Sequence, residues 1–454
     1  MPATKEATSG APPAWQRLNV LHLLLLVPWV GIVVAAHRPI RDNSFLWHVR
    51  AGELQLQGGE VLRQDPFSFT FGGADWRTQS WLAELVYGRL ESWFGLDFVP
   101  WLVIAAASLT LVLVGVASYR RTHRYVAVAA GLLVALWLGL SYFSPRPVLL
   151  SYVLLALLVV LLDLRARWAL PLVIWLWAAI HGSFVLGLGL IALEGVRTRD
   201  RRRLGDLAAA TLAASLTAHG LAIWSTLWDF FQNRGALELI TEWAPPNVTR
   251  PGQFPYVLLL VGLLVAAARG RLSLRDLWVP VPFVLFGLTS ARALFPALIV
   301  VLPWALLAWP EPSARRTRDP GRPRAIVHWV LAAGMVIVPL VVVSFAGLSH
   351  TRFPVAASEH LTSERIFHDD VTGGFLIWRG ESVYVDDRAE LYGEEFFEEF
   401  ISVRNARPGW EAVLDEWGIQ EVLARTSDGL VAALPAQGWS EAFRDDEFVL
   451  FVRP

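Results

Sequence analysis

The sequence contains no cysteine. Disulfides, thiolate nucleophiles and cysteine metal sites are thereby excluded. Lysine is nearly absent too: Lys5 is the only one, so arginine carries almost all the positive charge. That bias points to a GC-rich bacterial genome. Charge as a whole is scarce, at 17% of residues, where soluble domains hold about 25%. The 39 basic and 40 acidic side chains nearly cancel, so no global field favours a nucleic-acid partner. No internal repeat is found along the chain. The first apolar run ends at Ala36-His37-Arg38 without a small-residue cleavage site, so it reads as a retained span, not a removed signal peptide.

Apolar residues fill the chain, at 55%. A soluble core has no room for that much apolar surface, whereas a bilayer does. The 22 tryptophans suit interfacial belts at both membrane faces. At about 20 apolar residues per span, fewer where neighbours shield a helix, candidate spans are 20–36, 98–118, 125–143, 148–164, 207–224, 254–268, 277–288, 293–309 and 326–348. The stretch 168–196 reads either as one long helix or as a hairpin turning at His181-Gly182-Ser183.

Loop charge decides between them, because arginine-rich loops stay in the cytoplasm. Arginine clusters occur at 120–124, 165–167, 197–203, 269–275 and 315–324. They share one side only if 168–196 is a hairpin. The expectation is an all-α polytopic membrane domain over residues 20–348, with about eleven segments. A cytoplasmic tail at 1–19 precedes it. The first outer loop is 37–97, and residues 349–454 form a small extracytoplasmic α/β domain. In that domain the apolar runs 374–378, 382–385, 421–424 and 447–452 read as strands. Residues 394–405 and 409–417 read as helices. Gly373-Gly374 reads as a turn.

The first outer loop is the most informative segment. Helical spacing over 47–57 and an apolar face over 79–93 predict two short helices lying in the membrane interface. Asp42 precedes the first of them. It stands where an N-cap belongs and where a general base would meet an outer-face substrate. Asp65 precedes Pro66, a turn signal as well as a candidate acid. Glu242, beside Trp243, is a further loop acid, and His48 is a polar group on the first loop helix. Arg146 and Arg292 lie in very short outer turns. They oppose the positive-inside trend, and snorkelling or a phosphate explains each. His181 sits at the apolar hairpin tip, where an ionisable group is a functional candidate and a carbonyl-bonded neutral histidine is the plain alternative. Asp386-Asp387-Arg388, with Glu390 and Tyr392 after it, follows an apolar run: residues at strand ends often meet ligands, and the plain alternative is an acid–arginine pair pinning a strand-to-helix turn.

An acid just after the first span, in a long outer loop with interfacial helices, resembles the GT-C glycosyltransferases. These include the oligosaccharyltransferase catalytic subunit, the protein O-mannosyltransferases and the lipid A aminoarabinose transferases. A closer resemblance is to bacterial membrane proteins with a "WH…G…DPFSFT…W…QSWLAEL" first loop. They share Arg146-Pro147 with Ser151-Tyr152, the hairpin residues Trp177, His181, Gly182, Phe184 and Gly187, the pair Glu242-Trp243, and the tail "GGFLIW…VYVDDRAELY".

The resemblance implies a transferase that moves a sugar from a polyprenyl-phosphate-linked donor to an extracytoplasmic glycan, lipid or protein acceptor. Its place would be a bacterial plasma membrane. Asp42 is the implied base, with Asp65 and Glu242 as further catalytic acids. His48, Arg146, His181, Arg292 and Trp243 are the implied substrate contacts. The sequence lacks the Asp-Glu or Asp-x-Asp pair and the Trp-Trp-Asp motif of better-known relatives. No cofactor is implied outright, and a divalent metal stays open as the partner of the leaving phosphate. Two other functions compete: a transporter or flippase of lipid-linked glycans, and a non-catalytic envelope assembly protein whose tail binds a partner.

Overall fold

The computed structural model describes residues 20–232, 244–310 and 322–454. The first apolar segment is two helices, α1 (Val20–Leu23) and α2 (Val27–Ala36), not the single span expected. Pro28 in the first turn of α2 restarts the helix there. The outer loop holds α3 (Asn43–Gly58) and α4 (Trp81–Phe94). Next come α5 (Val99–Thr122), α6 (Tyr125–Gly139), α7 (Pro147–Leu164), α8 (Leu170–Ile180) and α9 (Val185–Thr198). Helices α10 (Arg202–Ala214), α11 (Ala222–Gln232), α12 (Pro255–Ala268) and α13 (Pro280–Gly287) follow. The bundle ends with α14 (Leu294–Ala305) and α15 (Arg322–Val342).

Helix α14 is apolar all round and buried at every residue, as such a helix must be. Helices α5, α7, α12 and α13 pack around it. The bundle exterior is apolar as well: Val112, Leu172, Leu212, Leu264 and Val341 are exposed. That surface suits lipid. Among the described residues, three stretches are long and apolar enough to cross a membrane: Trp81–Thr122, Pro147–Leu164 and Ala291–Ala308. Six more apolar helices are 10–17 residues long. The expected span 207–224 is broken, because α10 ends at Ala214 and the chain turns through Gly220 at φ 58° before α11.

The stretch 168–196 is interrupted where the charge argument puts its turn. His181 is extended (φ −165°, ψ 142°) and ends α8. The arginines then meet at one end of the bundle. Arg121 pairs with Asp163 at 2.8 Å, and Arg167 with Asp206 at 2.8 Å. Arg197 reaches Asp276 at 3.3 Å. Arg121 and Arg197 both lie over Trp304, at 4.5 and 5.3 Å. Arg269 donates to the Ala308 carbonyl. The tip at His181 is at the opposite end, beside Arg146 and Arg292.

That opposite end is layered. Helices α3 and α4 pack backbone to backbone, since a Cβ on Gly52 would stand 1.8 Å from the Glu84 carbonyl oxygen. Helix α3 is therefore covered on that side by α4. The tail covers its other side. Residues 374–378 belong to helix α16 (Asp370–Arg379) and not to a strand. Asp369 caps it, accepting from the Thr372 amide at 2.6 Å. The two glycines are a contact surface rather than a turn. A Cβ on Gly373 would stand 2.2 Å from the Val385 carbonyl oxygen, and one on Gly374 2.2 Å from that of Asn43.

The 382–385 run is extended but pairs with the first loop, Val383 donating to Phe67 at 3.0 Å and accepting from Phe69 at 3.0 Å. Helices α17 (Ala389–Arg404), α18 (Trp410–Glu416) and α19 (Gly429–Ala433) complete the tail. They pack with a four-stranded sheet of β1 (Ile366–His368), β2 (Glu421–Arg425), β3 (Ser440–Arg444) and β4 (Phe448–Val452). Its order is β1-β2-β4-β3, with β1 and β2 parallel and the other pairs antiparallel.

Candidate active site

Arg146 owes its position to the residue after it. Pro147 opens α7 and holds Arg146 extended (φ −61°, ψ 155°), so its side chain leaves the helix start. Its Nε donates to both carboxylate oxygens of Asp42, at 2.8 and 2.7 Å. Ser144 donates to the same carboxylate, and the Phe45 amide donates at 3.1 Å to cap α3. Burial raises the Asp42 carboxyl, but Arg146 and these bonds outweigh it and hold it below its usual range. Asp42 thus stands behind Arg146 and off the cavity wall.

Arg146 faces a cavity of about 490 Å³. Arg292 and His181 share that wall. Arg292 sits on the turn before α14, where Tyr142 donates to the Ala291 carbonyl at 2.7 Å. His181 Nδ1 bonds the Ser183 hydroxyl at 2.9 Å and accepts from the Ser183 amide at 3.1 Å. His48 lines the cavity from α3, between Trp47 and the backbone turn that leads to Gly52.

The tail lines the cavity with both charges: the acids Asp370, Asp387 and Glu390, and the arginines Arg352, Arg388 and Arg404. Asp387 accepts from Trp47 Nε1 at 2.8 Å and from the Ser44 hydroxyl. Burial raises its carboxyl, and Asp386 and Asp42 add to this against Arg146 and Ser44. Asp370 is pushed up to about 6 by burial, then by Asp369 and Asp387. Burial raises Glu390 too, against the hydrogen bond from Trp76 Nε1 at 3.3 Å. A carboxyl at about 6, as in Asp370, exchanges its proton near neutral pH.

Asp65 takes no place on the wall. It is buried and holds its own turn, accepting from the amides of Phe67 at 3.1 Å and Ser68 at 3.0 Å. It also pairs with Arg388 at 2.8 Å. Arg388 joins Asp386 at 2.6 Å, beneath a Tyr392 hydroxyl donating to Asp386 at 2.8 Å. The Asp-Asp-Arg segment therefore pins its turn through Asp386 while turning Asp387 into the cavity. Glu242 and Trp243 lie outside the described residues. Among the described residues, no three histidine or carboxylate side chains converge as a metal site.

Sequence reasoning brought forward His48, Arg146, His181 and Arg292, which line one cavity. It passed over Asp370, and at Asp387 it preferred a turn-pinning pair to a ligand contact. The glycine pair beside Asp370 was the available signal, since two adjacent glycines in an apolar helix mark close backbone approach.

No family model matches the chain, and no curated protein is similar to it. Solved structures are similar in fold. The Archaeoglobus fulgidus oligosaccharyltransferase, in its apo form, superposes with a TM-score of 0.56 at 10% identity, covering 89% of this chain and 69% of that one. ArnT from Cupriavidus metallidurans, solved with undecaprenyl phosphate bound, gives 0.52 at 14% identity, covering 94% and 97%. The chain shares its overall fold with these two structures. In this chain the helical bundle carries a covering C-terminal sheet domain, and the cavity is where the two meet.

Proposed function

We propose that the chain is a membrane glycosyltransferase that moves a sugar from a polyprenyl-phosphate-linked donor to an acceptor outside the cytoplasm. The observation that carries this reading is the single cavity joining Arg146 and Arg292 to the Asp370–Asp387 wall. Two guanidinium groups suit the charge of a lipid phosphate as it leaves. Carboxylates and the Trp47 and Trp76 rings suit the hydroxyls and faces of a sugar. The similarity to an ArnT structure holding undecaprenyl phosphate supports a lipid of that class.

In the reaction the acceptor oxygen attacks the anomeric carbon. The carbon–oxygen bond to phosphate breaks, and its electron pair leaves with the phosphate. Arg146 and Arg292 take up that charge. Asp42 acts as a positioning residue: it fixes Arg146 and the start of α3. The arginine-paired end faces the cytoplasm, and the cavity and residues 349–454 face outward. About eleven membrane segments, the shorter ones shielded by neighbours, complete the span count. A bacterial plasma membrane is the site of action.

The test uses purified protein in detergent with undecaprenyl phosphate carrying a tritiated hexose or pentose, and an envelope extract as acceptor. Label leaving the lipid for the acceptor supports the reading. Label that crosses proteoliposome membranes still attached to its lipid contradicts it and makes the chain a transporter.

A further inference from the structure

We propose that His48, oriented by the buried Glu84, is the general base that takes the proton from the attacking acceptor hydroxyl. The assignment rests on the transferase reading above. It starts from a carboxylate with no route to solvent. Glu84 is fully buried between α3 and α4. A charge in that position needs partners, and three donors surround it. His48 Nδ1 is 2.9 Å from Oε1, Gln55 Nε2 is 2.6 Å from Oε2, and the Thr78 hydroxyl donates to Oε1.

Helix geometry makes the meeting possible. His48 and Gly52 are four apart on α3, and Glu84 and Gly88 are four apart on α4, so each pair shares a face. A Cβ on Gly88 would stand 2.6 Å from the Glu53 nitrogen, and one on Gly52 would strike the Glu84 backbone. Glycine at both positions draws the helices together and brings the imidazole onto the carboxylate.

An ionised carboxylate only accepts, so Nδ1 carries the hydrogen. Nε2 is then the nitrogen with a lone pair, on a ring that lines the cavity. Trp47, its ring centroid 3.6 Å away, holds the imidazole plane. Among the described residues no group bonds Nε2. This is the division of labour by which a carboxylate behind an imidazole readies the far nitrogen as proton acceptor. Two of the rival acids are less available, while Asp370 and Glu390 line the same cavity and are the alternatives that the experiment below separates. Asp42 is committed to Arg146, and both Asp387 oxygens accept from Ser44 and Trp47.

The step balances. The hydroxyl proton moves to Nε2 as the oxygen–carbon bond forms and the carbon–phosphate-oxygen bond breaks. The imidazolium rests against the Glu84 carboxylate and returns its proton to water after product release. Arg146, Arg292 and His181 share the cavity wall with it, and Asp387 faces it.

The experiment has two arms. Long-range proton–nitrogen NMR of histidine-labelled protein in detergent, with His48 assigned through His48→Gln, reads the ring tautomer. At pH 8 the expected form is protonated at Nδ1 and bare at Nε2, and Glu84→Gln shifts it. In the transfer assay His48→Gln lowers kcat by about 10²–10⁴-fold with donor KM unchanged, and Glu84→Gln lowers kcat in the same sense. Undecaprenyl phosphate binding, retained by both variants, reports that they are folded. A wild-type ring protonated at Nε2, or full kcat in His48→Gln, overturns the assignment and leaves the transferase reading standing. Tight undecaprenyl phosphate binding with no sugar transfer from any donor removes the transferase reading, and the base falls with it.

Discussion

The two ends of the helical bundle use arginine in opposite ways. At one end Arg121, Arg167 and Arg197 close onto Asp163, Asp206, Glu194 and Asp276, and the Trp304 ring fills the space between two of them. Charge there is paired locally. At the other end Arg146, itself paired with Asp42, and Arg292 line about 490 Å³ of open space, together with carboxylates whose ionisation burial opposes. A fold that needed only stability would close that end as it closes the first. Keeping buried charge around a hollow is a property of a site.

The comparison breaks most severely if α3 and α4 are forced apart. Gly52→Val puts side-chain atoms where Glu84 backbone already is. The expected loss is at least the ~1–3 kcal/mol of overpacking, read as a large fall in melting temperature. Gly189→Val, on α9 with open space at its Cβ position, should change it little. Equal melting temperatures for the two would show that the layer is not close-packed.

A smaller effect sharpens the contrast through pH. Asp370 titrates near 6 when folded, against an ordinary 3.8. The folded state therefore binds its proton more tightly than the unfolded chain does. Stability falls as pH rises from about 4 to about 6, and the penalty is then constant. Asp370→Asn should accordingly raise the melting temperature by a few degrees at pH 8, a gain that vanishes below about pH 4. A gain independent of pH would refute the electrostatic cause. The closed end should show no effect on binding. Arg197→Gln removes ion pairs to Glu194 and Asp276, so it should lower the melting temperature and leave ligand binding unchanged.

How much of this was readable beforehand differs between the ends. The arginine end follows from counting, because loop charge alone separated a hairpin from a single helix at 168–196. Arg146 and Arg292 stood out as exceptions to the same count. Asp42 was legible as a cap, since that needs only the residues beside it, but its pairing with Arg146 spans 104 positions. The tail's place in the cavity was not legible. Asp387 meets Trp47 across 340 positions, and no local pattern foretells that. The run 374–378 misled because a short continuous apolar stretch reads equally as a strand or a buried helix. Its contact with Asn43 decides for helix. His48 and Glu84 carry a faint signal, the matched four-residue spacing to Gly52 and Gly88, which acquires meaning only once the two helices are known to touch.

The most direct measurement is the affinity of purified protein for undecaprenyl phosphate, compared among wild type, Arg146→Gln and Arg197→Gln. Losing one charge-assisted contact to phosphate is worth about 1.5–3 kcal/mol, so Arg146→Gln should bind roughly 10- to 100-fold more weakly. Arg197→Gln should match wild type. Equal affinity in all three proteins would contradict the claim that the open end of the bundle, and not its arginine-paired end, is built to hold a lipid phosphate.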